Sequence, residues 1–513
     1  MDAAPTSPDL SATIHIGASS VSMLVTNAGS EESAPPLEFL EQPLPLARDI
    51  FRRGKVQRST TERTVQILNG YLDTLKELGV GPEVVARAVT TNILSEASNS
   101  EVFLNRLYIA CGLRAEVLDD GEMTRLIYLK TRRRLRDTPS MKKRTTLVVH
   151  VGPGNTRALL FKKGRIVRYT SYRLGTYRTA EALETASAEG AVLVRVLREH
   201  IRGQINQLQY EFRDETIEDL VVIGYEIQLL APFLTKAGDT KLSAKSLRSL
   251  AAEAAALTED ERVRRYQLDY HTAEGVLPAL EINLAVAEAF ALKTLRIPGS
   301  DYERGLLHDL PVSTSLTARF QAEVVRSAKI LARKYQADDR HGRHVAFLSK
   351  RLFDETQDLH ELATHDALLL DVAATLHETG GYISPKAHHK HSQYIVQNSE
   401  IFGLGRLDIQ IVALVARYHR QSGPRTTHPA YRALDTVDRI RVAKLASLLR
   451  VADALERTHS QRVRDIEVRV TGERIYLTLV GVSDAAVERL AMQSKGTTFE
   501  ETFGLAIILK DQA

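Results

Sequence analysis

A chain of 513 residues is too long for one hydrophobic core and predicts three or four domains. Its 43% apolar and 26% charged residues exclude a disordered chain, and no apolar run approaches the roughly 18 residues that a membrane span needs. A net charge of +4 is too weak to imply nucleic-acid binding, and the single cysteine, Cys111, excludes internal disulfides and fits a reducing cytosol.

The opening MDAAPTSPDLSA lacks the basic head and apolar segment of a secretory signal, and residues 1–11 are expected to form a disordered tail. Thr13–Thr26 then reads as a strand, followed by a polar, hairpin-like segment. Apolar residues at helical spacing (Val65, Leu68, Leu72, Leu75, Leu78) predict a helix over Thr60–Leu78, and VVARAVTTN predicts another strand. Ser98–Cys111 reads as a helix capped by Asn99 or Ser98, and Glu122–Arg136 as the next helix. Lys130–Arg144, KTRRRLRDTPSMKKR, holds eight basic residues. It is either a solvated connection or a basic rim that attracts a polyanion. No aromatic residue interrupts it, which argues against base stacking and against nucleic acid as a partner.

The pattern begins again at Thr146–Phe161, which reads as strand, turn and strand, with GRIVRYTSYRL as the strand after it. A long helix is expected over Ala180–Tyr210, and DLVVIGYE is a strand entering a turn. Each half opens with the same shape, IHIGASS (Ile14–Ser20) and VHVGPGNTR (Val149–Arg157). An apolar strand running into a glycine turn is how many phosphate loops begin, so the repeat suggests a duplicated α/β unit with both turns facing one cleft. Such a loop usually ends its strand with an aspartate that holds a metal; here the residues are His15 and His150. Three readings fit these imidazoles: satisfaction by local hydrogen bonds, protonated rings that bind phosphate together with Arg157, or a transition-metal pair.

From Pro311 to Arg464 the chain is nearly all helix, and 11 of its 16 histidines fall between His341 and His459. The last fifty residues, with IEVRVTGERIYLTLVG and FGLAIILK on either side of a helix, return to strand alternation.

Together these features resemble the exopolyphosphatase and guanosine-pentaphosphate phosphohydrolase family. The resemblance is carried by SEASNSEVFLNRLYIACGL, VLDDGEMTRLIYL, LGTYRTAE, LHETGGYISPKAHHKHSQYIVQNSEIFG, RYHRQSGP and FEETFG, in that order. It implies an α/β plus all-α protein: actin-like (ribonuclease H-like) lobes at 12–140 and 141–310, an HD-type helical domain at 311–463 and a small α/β domain at 464–513. It further implies a cytoplasmic homodimer, paired through the helical domain, that handles polyphosphate or a hyperphosphorylated guanosine nucleotide.

The family's first loop reads roughly Asp-x-Gly-Ser-Asn-Ser, and here it is His15, Ile16, Gly17, Ala18, Ser19, Ser20. Its second reads Asp-x-Gly-Gly-Gly-Ser-Thr-Glu, and here it is His150, Val151, Gly152, Pro153, Gly154, Asn155, Thr156, Arg157. An acidic pair is reduced to Glu122 followed by Met123, an arginine is replaced by Ser95, and a Gly-Gly-Thr turn is Gly224, Tyr225, Glu226. The resemblance thus assigns phosphate binding to Gly17, Ser19, Ser20, Gly152, Gly154, Asn155, Thr156 and Arg157, and leaves Glu122 as the carboxylate to serve as base. In-line attack on a phosphoryl group needs such a base together with cations, and the lost aspartates leave no evident oxygen site for magnesium.

HD-type phosphohydrolases collect a metal with residues that correspond here to His341, His377, Glu378 and Asp453, and a second metal with His391 and His419. Magnesium or manganese is the implied ion. Glu378 stands where aspartate is usual, and the extra methylene moves the carboxylate by more than the roughly 0.5 Å a catalytic site tolerates. On another reading the helical domain is structural, with Tyr394, Asn398 and His389 bonding helix ends. Three functions follow: a phosphoanhydride hydrolase of the lobes, a non-catalytic sensor (a pseudoenzyme) of a phosphorylated ligand, or an HD-site phosphohydrolase acting on nucleotides.

Overall fold

The computed structural model describes residues 10–27, 35–135, 143–184, 190–236, 239–298, 307–308, 310 and 317–511. The expected tail lies outside these residues as far as position 9, as does the 136–142 stretch of the basic run. Two compact units emerge, 1–315 and 316–513. No helix among the described residues is long and apolar enough to cross a membrane.

The first unit contains two sheets. One carries β1 (Leu10–Ile16), β2 (Ser20–Asn27), β3 (Glu38–Pro43), β4 (Val85–Thr90) and β5 (Ala115–Val117), in the order β3-β2-β1-β4-β5. The other carries β6 (Thr145–Val151), β7 (Thr156–Lys162), β8 (Arg165–Tyr172), β9 (Asp219–Ile223), β10 (Lys241–Ser243) and β11 (Thr294–Arg296), in the order β10-β11-β9-β6-β7-β8. From its opposite edge the second sheet runs β8-β7-β6-β9-β11, which repeats the first strand for strand. The meander edge is antiparallel in both, and β1–β4–β5 and β6–β9–β11 are parallel. The duplication hinted at by two His-x-Gly starts is therefore a duplication of whole sheets. This is the actin-like arrangement.

The central strands are apolar almost throughout because helices cover both faces. Residues Thr146–Val151 of β6 are all buried, as are Ala12–Ile16 of β1. Ile14, Met23, Leu68, Leu75 and Phe103 fill the first lobe, and Leu147, Val149, Leu197, Val222 and Leu280 the second. Three expectations need correction. Thr13–Thr26 is two strands, because Gly17 turns the chain between them. The long helix over Ala180–Tyr210 is two helices, Thr176–Glu184 and Gly190–Glu211, with Gly190 at φ +55° opening the second. Helix Ser100–Cys111 has no side-chain cap. Asn99 instead accepts the Val56 N–H at 2.8 Å and donates to the Val56 carbonyl at 2.9 Å, an amide pairing a peptide in both directions. Asn99→Ala removes both bonds and is expected to cost on the order of 1–2 kcal/mol in chemical denaturation.

The second unit is a helical bundle with a three-stranded sheet attached. Its long helices are Ala318–Lys334, Asp339–Glu355, Thr364–Leu376, Arg406–Tyr418 and Thr436–Leu455. The sheet is β12 (Asp465–Thr471), β13 (Arg474–Val480) and β14 (Ala506–Asp511), in that order. Helices Ala486–Lys495 and Thr497–Phe503 tie it to Thr436–Leu455, where Ser447 donates to the Thr498 carbonyl at 3.2 Å and Arg450 reaches the Lys495 carbonyl.

Candidate functional site

The two loop ends are built alike. Gly17 N–H donates to the Ser20 carbonyl at 2.7 Å, and Gly152 N–H to the Asn155 carbonyl at 3.0 Å. The ring of His15 lies over Gly17 and that of His150 over Gly152. A Cβ on Gly17 would sit 2.9 Å from the Ser20 carbonyl oxygen, and one on Gly152 3.1 Å from the His150 ring. Each loop then receives the start of a helix: Ala47 N–H donates to the Ala18 carbonyl, and Tyr177 N–H to the Pro153 carbonyl.

Between the loops lies a cavity of about 70 Å³. Of the expected phosphate ligands it is lined by Gly17, Ser19, Ser20, Gly152 and Arg157. The other three are committed to packing. Gly154 lies close to Phe51 and Ile93, the Asn155 carbonyl accepts from Gly152, and the Thr156 hydroxyl donates to Leu174 at 2.6 Å. Ser20 donates its hydroxyl to Glu41 at 2.8 Å. Arg157, paired in register with His150, extends across the cleft to an ion pair with Asp120.

Glu122, the expected base, does not line this cavity. Its neighbour Met123, about 100° further round the helix, does. The Glu122 carboxylate is gripped by both terminal nitrogens of Arg87, at 2.5 and 3.1 Å. Burial, then Arg157 and Lys130, hold His150 well below the usual histidine range. This environment favours the neutral imidazole over the cation.

Sequence reasoning registered Glu226 only as a departure from the family turn. It lines the cavity, is buried, and accepts from the Thr176 hydroxyl at 3.0 Å. Burial pushes its carboxyl up to about 7, against the partial opposition of hydrogen bonds from its own backbone and from Thr176. The signal was present: DLVVIGYE places an acid just beyond a strand-end glycine, where α/β clefts gather ligands. Buried Tyr177 is held well above its ordinary value by burial and by the nearby Glu226 charge. The cleft is drawn shut by further pairs between the lobes: Arg178 with Glu96 at 2.5 Å, Arg52 with Glu181 at 2.7 Å, and the Tyr225 hydroxyl with Glu41 at 2.8 Å.

The helical unit gathers a second constellation. Asp338 caps helix Asp339–Glu355 and accepts the His341 N–H at 3.2 Å, which fixes His341 in the first turn. Its Nε2 lies 3.2 Å from His377 Nε2 and 3.7 Å from Asp453 Oδ1. Glu378 is 3.9 Å away, and His459, which sequence reasoning passed over, stacks on His341 with centroids 3.7 Å apart. Burial first, and then His377, push His341 down to about 3. His388, one helical turn before His391, meets His419, with their Nε2 atoms 3.1 Å apart. Asp453 carries a further partner, the Lys495 ammonium.

Comparison with known proteins follows the same lines. The sequence model of the Ppx/GppA phosphatase family matches residues 31–313, and that of Ppx/GppA phosphatase domain III matches 325–490. A guanosine-5'-triphosphate,3'-diphosphate pyrophosphatase of Photobacterium profundum is 23% identical over 502 residues, covering 93% of each chain. One from Vibrio campbellii is 24% identical over 483 residues with the same coverage. Among solved structures, an exopolyphosphatase from Cytophaga hutchinsonii superposes with a TM-score of 0.50 at 16% identity, over 59% of this chain and 98% of that one.

Proposed function

The chain belongs to the Ppx/GppA phosphatase family, and from this premise we propose that its lobes bind the terminal phosphate of polyphosphate or of a hyperphosphorylated guanosine nucleotide and hydrolyse it slowly or not at all. One observation carries the reading. Among the described residues lining the cavity the only carboxylate is Glu226, while His15, His150 and Met123 occupy the positions where the family keeps its acids. Magnesium takes a near-octahedral set of oxygens at roughly 2.0–2.1 Å, and imidazole and thioether groups do not provide one. The covalent cation Arg157 stands where the family carries an acid, so part of the positive charge comes from a side chain.

The cavity, at about 70 Å³, is closer in size to one phosphoryl group than to a nucleotide, whose pockets run to roughly 300–1,000 Å³. The remainder of a long ligand therefore has to lie outward, towards the mouth of the cleft. The test is thermal unfolding of the full chain with polyphosphate and with guanosine pentaphosphate, alongside phosphate release with magnesium and manganese. The expected result is a ligand-dependent rise in midpoint that EDTA leaves unchanged. Release is expected to fall at least about 10²–10³-fold below that of the Photobacterium profundum relative, the scale set by losing preorganised charge at the reacting group. Release at the relative's rate, abolished by EDTA, would overturn the proposal.

A further inference from the structure

We infer that Lys495 stands in for the divalent ion in the histidine centre of the helical unit, so that a metal enters only when this side chain is removed. The inference is independent of what the lobes do.

The donor set itself suits a metal. The donor atoms of His341, His377 and Asp453 all lie within 4.8 Å of one another, with His377 Nε2 4.0 Å from Asp453 Oδ1. His377 Nδ1 lies 2.7 Å from the Ala374 carbonyl and donates to it, which directs the lone pair of Nε2 inward. A backbone carbonyl on the far nitrogen is how ligand imidazoles are usually oriented. All three side chains are buried.

The obstacle is charge. Asp453, the one carboxylate common to the buried set, accepts a hydrogen bond on Oδ2 from the Lys495 ammonium. Lys495 is held there from behind, because its carbonyl accepts from Arg450 Nε at 3.1 Å. It also closes helix Ala486–Lys495, so its backbone is anchored to the attached α/β segment. One carboxylate is thus neutralised by one ammonium inside the pocket. A divalent ion on Oδ1 would face that ammonium across a single carboxylate group. A further acid at this centre, Glu378, is partly exposed and 3.9 Å from His341. An ammonium has no lone pair to offer a metal, so it competes with the ion and does not ligate it.

The full chain, incubated with Mn(II) and freed of unbound ion by gel filtration, is analysed for bound manganese as wild type, Lys495→Met, His377→Ala and Lys495→Met/His377→Ala. Wild type is expected to retain almost none, Lys495→Met about one ion per chain, and the double variant none. If Lys495→Met folds only weakly without metal, the same result is read as a thermal midpoint that Mn(II) raises in that variant and not in wild type. Wild type carrying about one ion that His377→Ala removes would sink the inference. So would a Lys495→Met protein that neither takes up manganese nor is stabilised by it.

Discussion

Replacing Glu226 with glutamine is expected to stabilise the lobe unit at pH 8 by at most about 3 kcal/mol and to leave it nearly unchanged at pH 4.5. The folded carboxyl titrates near 7 because it is buried, against 4.5 for the ordinary group. Between those values the folded state keeps a proton that the unfolded chain has released. Wild-type stability therefore falls as pH rises from 4.5 through 7 and is flat above. Glutamine carries no such proton, keeps an oxygen for the Thr176 hydroxyl, and holds its stability flat with respect to this site. Urea unfolding of both proteins at pH 5 and pH 8 measures the difference, and an equal gap at the two pH values refutes the assignment. The same proton bears on ligands. A phosphate anion entering the cavity meets a neutral Glu226 below 7 and a charged one above. Polyphosphate affinity is expected to weaken roughly tenfold between pH 6 and pH 8 in wild type, and to lose that component in Glu226→Gln.

The sequence made the architecture legible because the duplicated strand starts, the helical periodicities and the histidine-rich stretch are local signals. The sites were legible only as neighbourhoods. HHKH offers His388 and His391 on one helical face a turn apart, and only the packing of the neighbouring helix decides that His388 is the one to meet His419. Glu122 and Met123 are likewise adjacent in sequence, and the direction of each side chain was settled by Arg87, which lies 35 residues away from Glu122. No local pattern announces that Lys495 will reach Asp453 across 42 positions, or that Arg157 will reach Asp120 across 37.

Those last two contacts express one electrostatic solution used twice. At each place where a metal-dependent relative would gather acids around an ion, this chain has a side-chain cation against an aspartate: Arg157 with Asp120 in the cleft and Lys495 with Asp453 in the helical unit. A tethered cation adds no new ion to a buried site and needs no ligand set of six oxygens, so it can balance the aspartate without a metal. It also offers no exchangeable water to activate, and Lewis-acid hydrolysis depends on one. On the proposed reading, retained architecture and slow or absent hydrolysis would share a single cause.

The cost of disturbing the second of these pairs is set by Arg450. Its guanidinium is buried and donates to four backbone carbonyls: Tyr418 at 2.9 Å, Gln421 at 3.1 Å, Lys495 at 3.1 Å and Ser494 at 3.2 Å. Two of these belong to the end of helix Ala486–Lys495, where carbonyls lack helical partners and a cation is favoured. Arg450→Ala leaves four oxygens without that donor and opens a cavity, so a loss of about 3–5 kcal/mol is expected. Arg450→Lys keeps the charge but replaces a planar fork with a single centre, and is expected to recover less than half of it. Hydrogen exchange on the full chain separates this from a general loss of stability. Amides of residues 486–503 and of the chain after Tyr418 should exchange sooner than those of helix Thr364–Leu376, since the guanidinium fastens the attached segment and the end of helix Arg406–Tyr418 to helix Thr436–Leu455, and none of its four acceptors lies on Thr364–Leu376. Uniform acceleration across the helical unit would show that Arg450 supports the core as a whole, and protection unchanged in both regions would remove it from the list of fasteners.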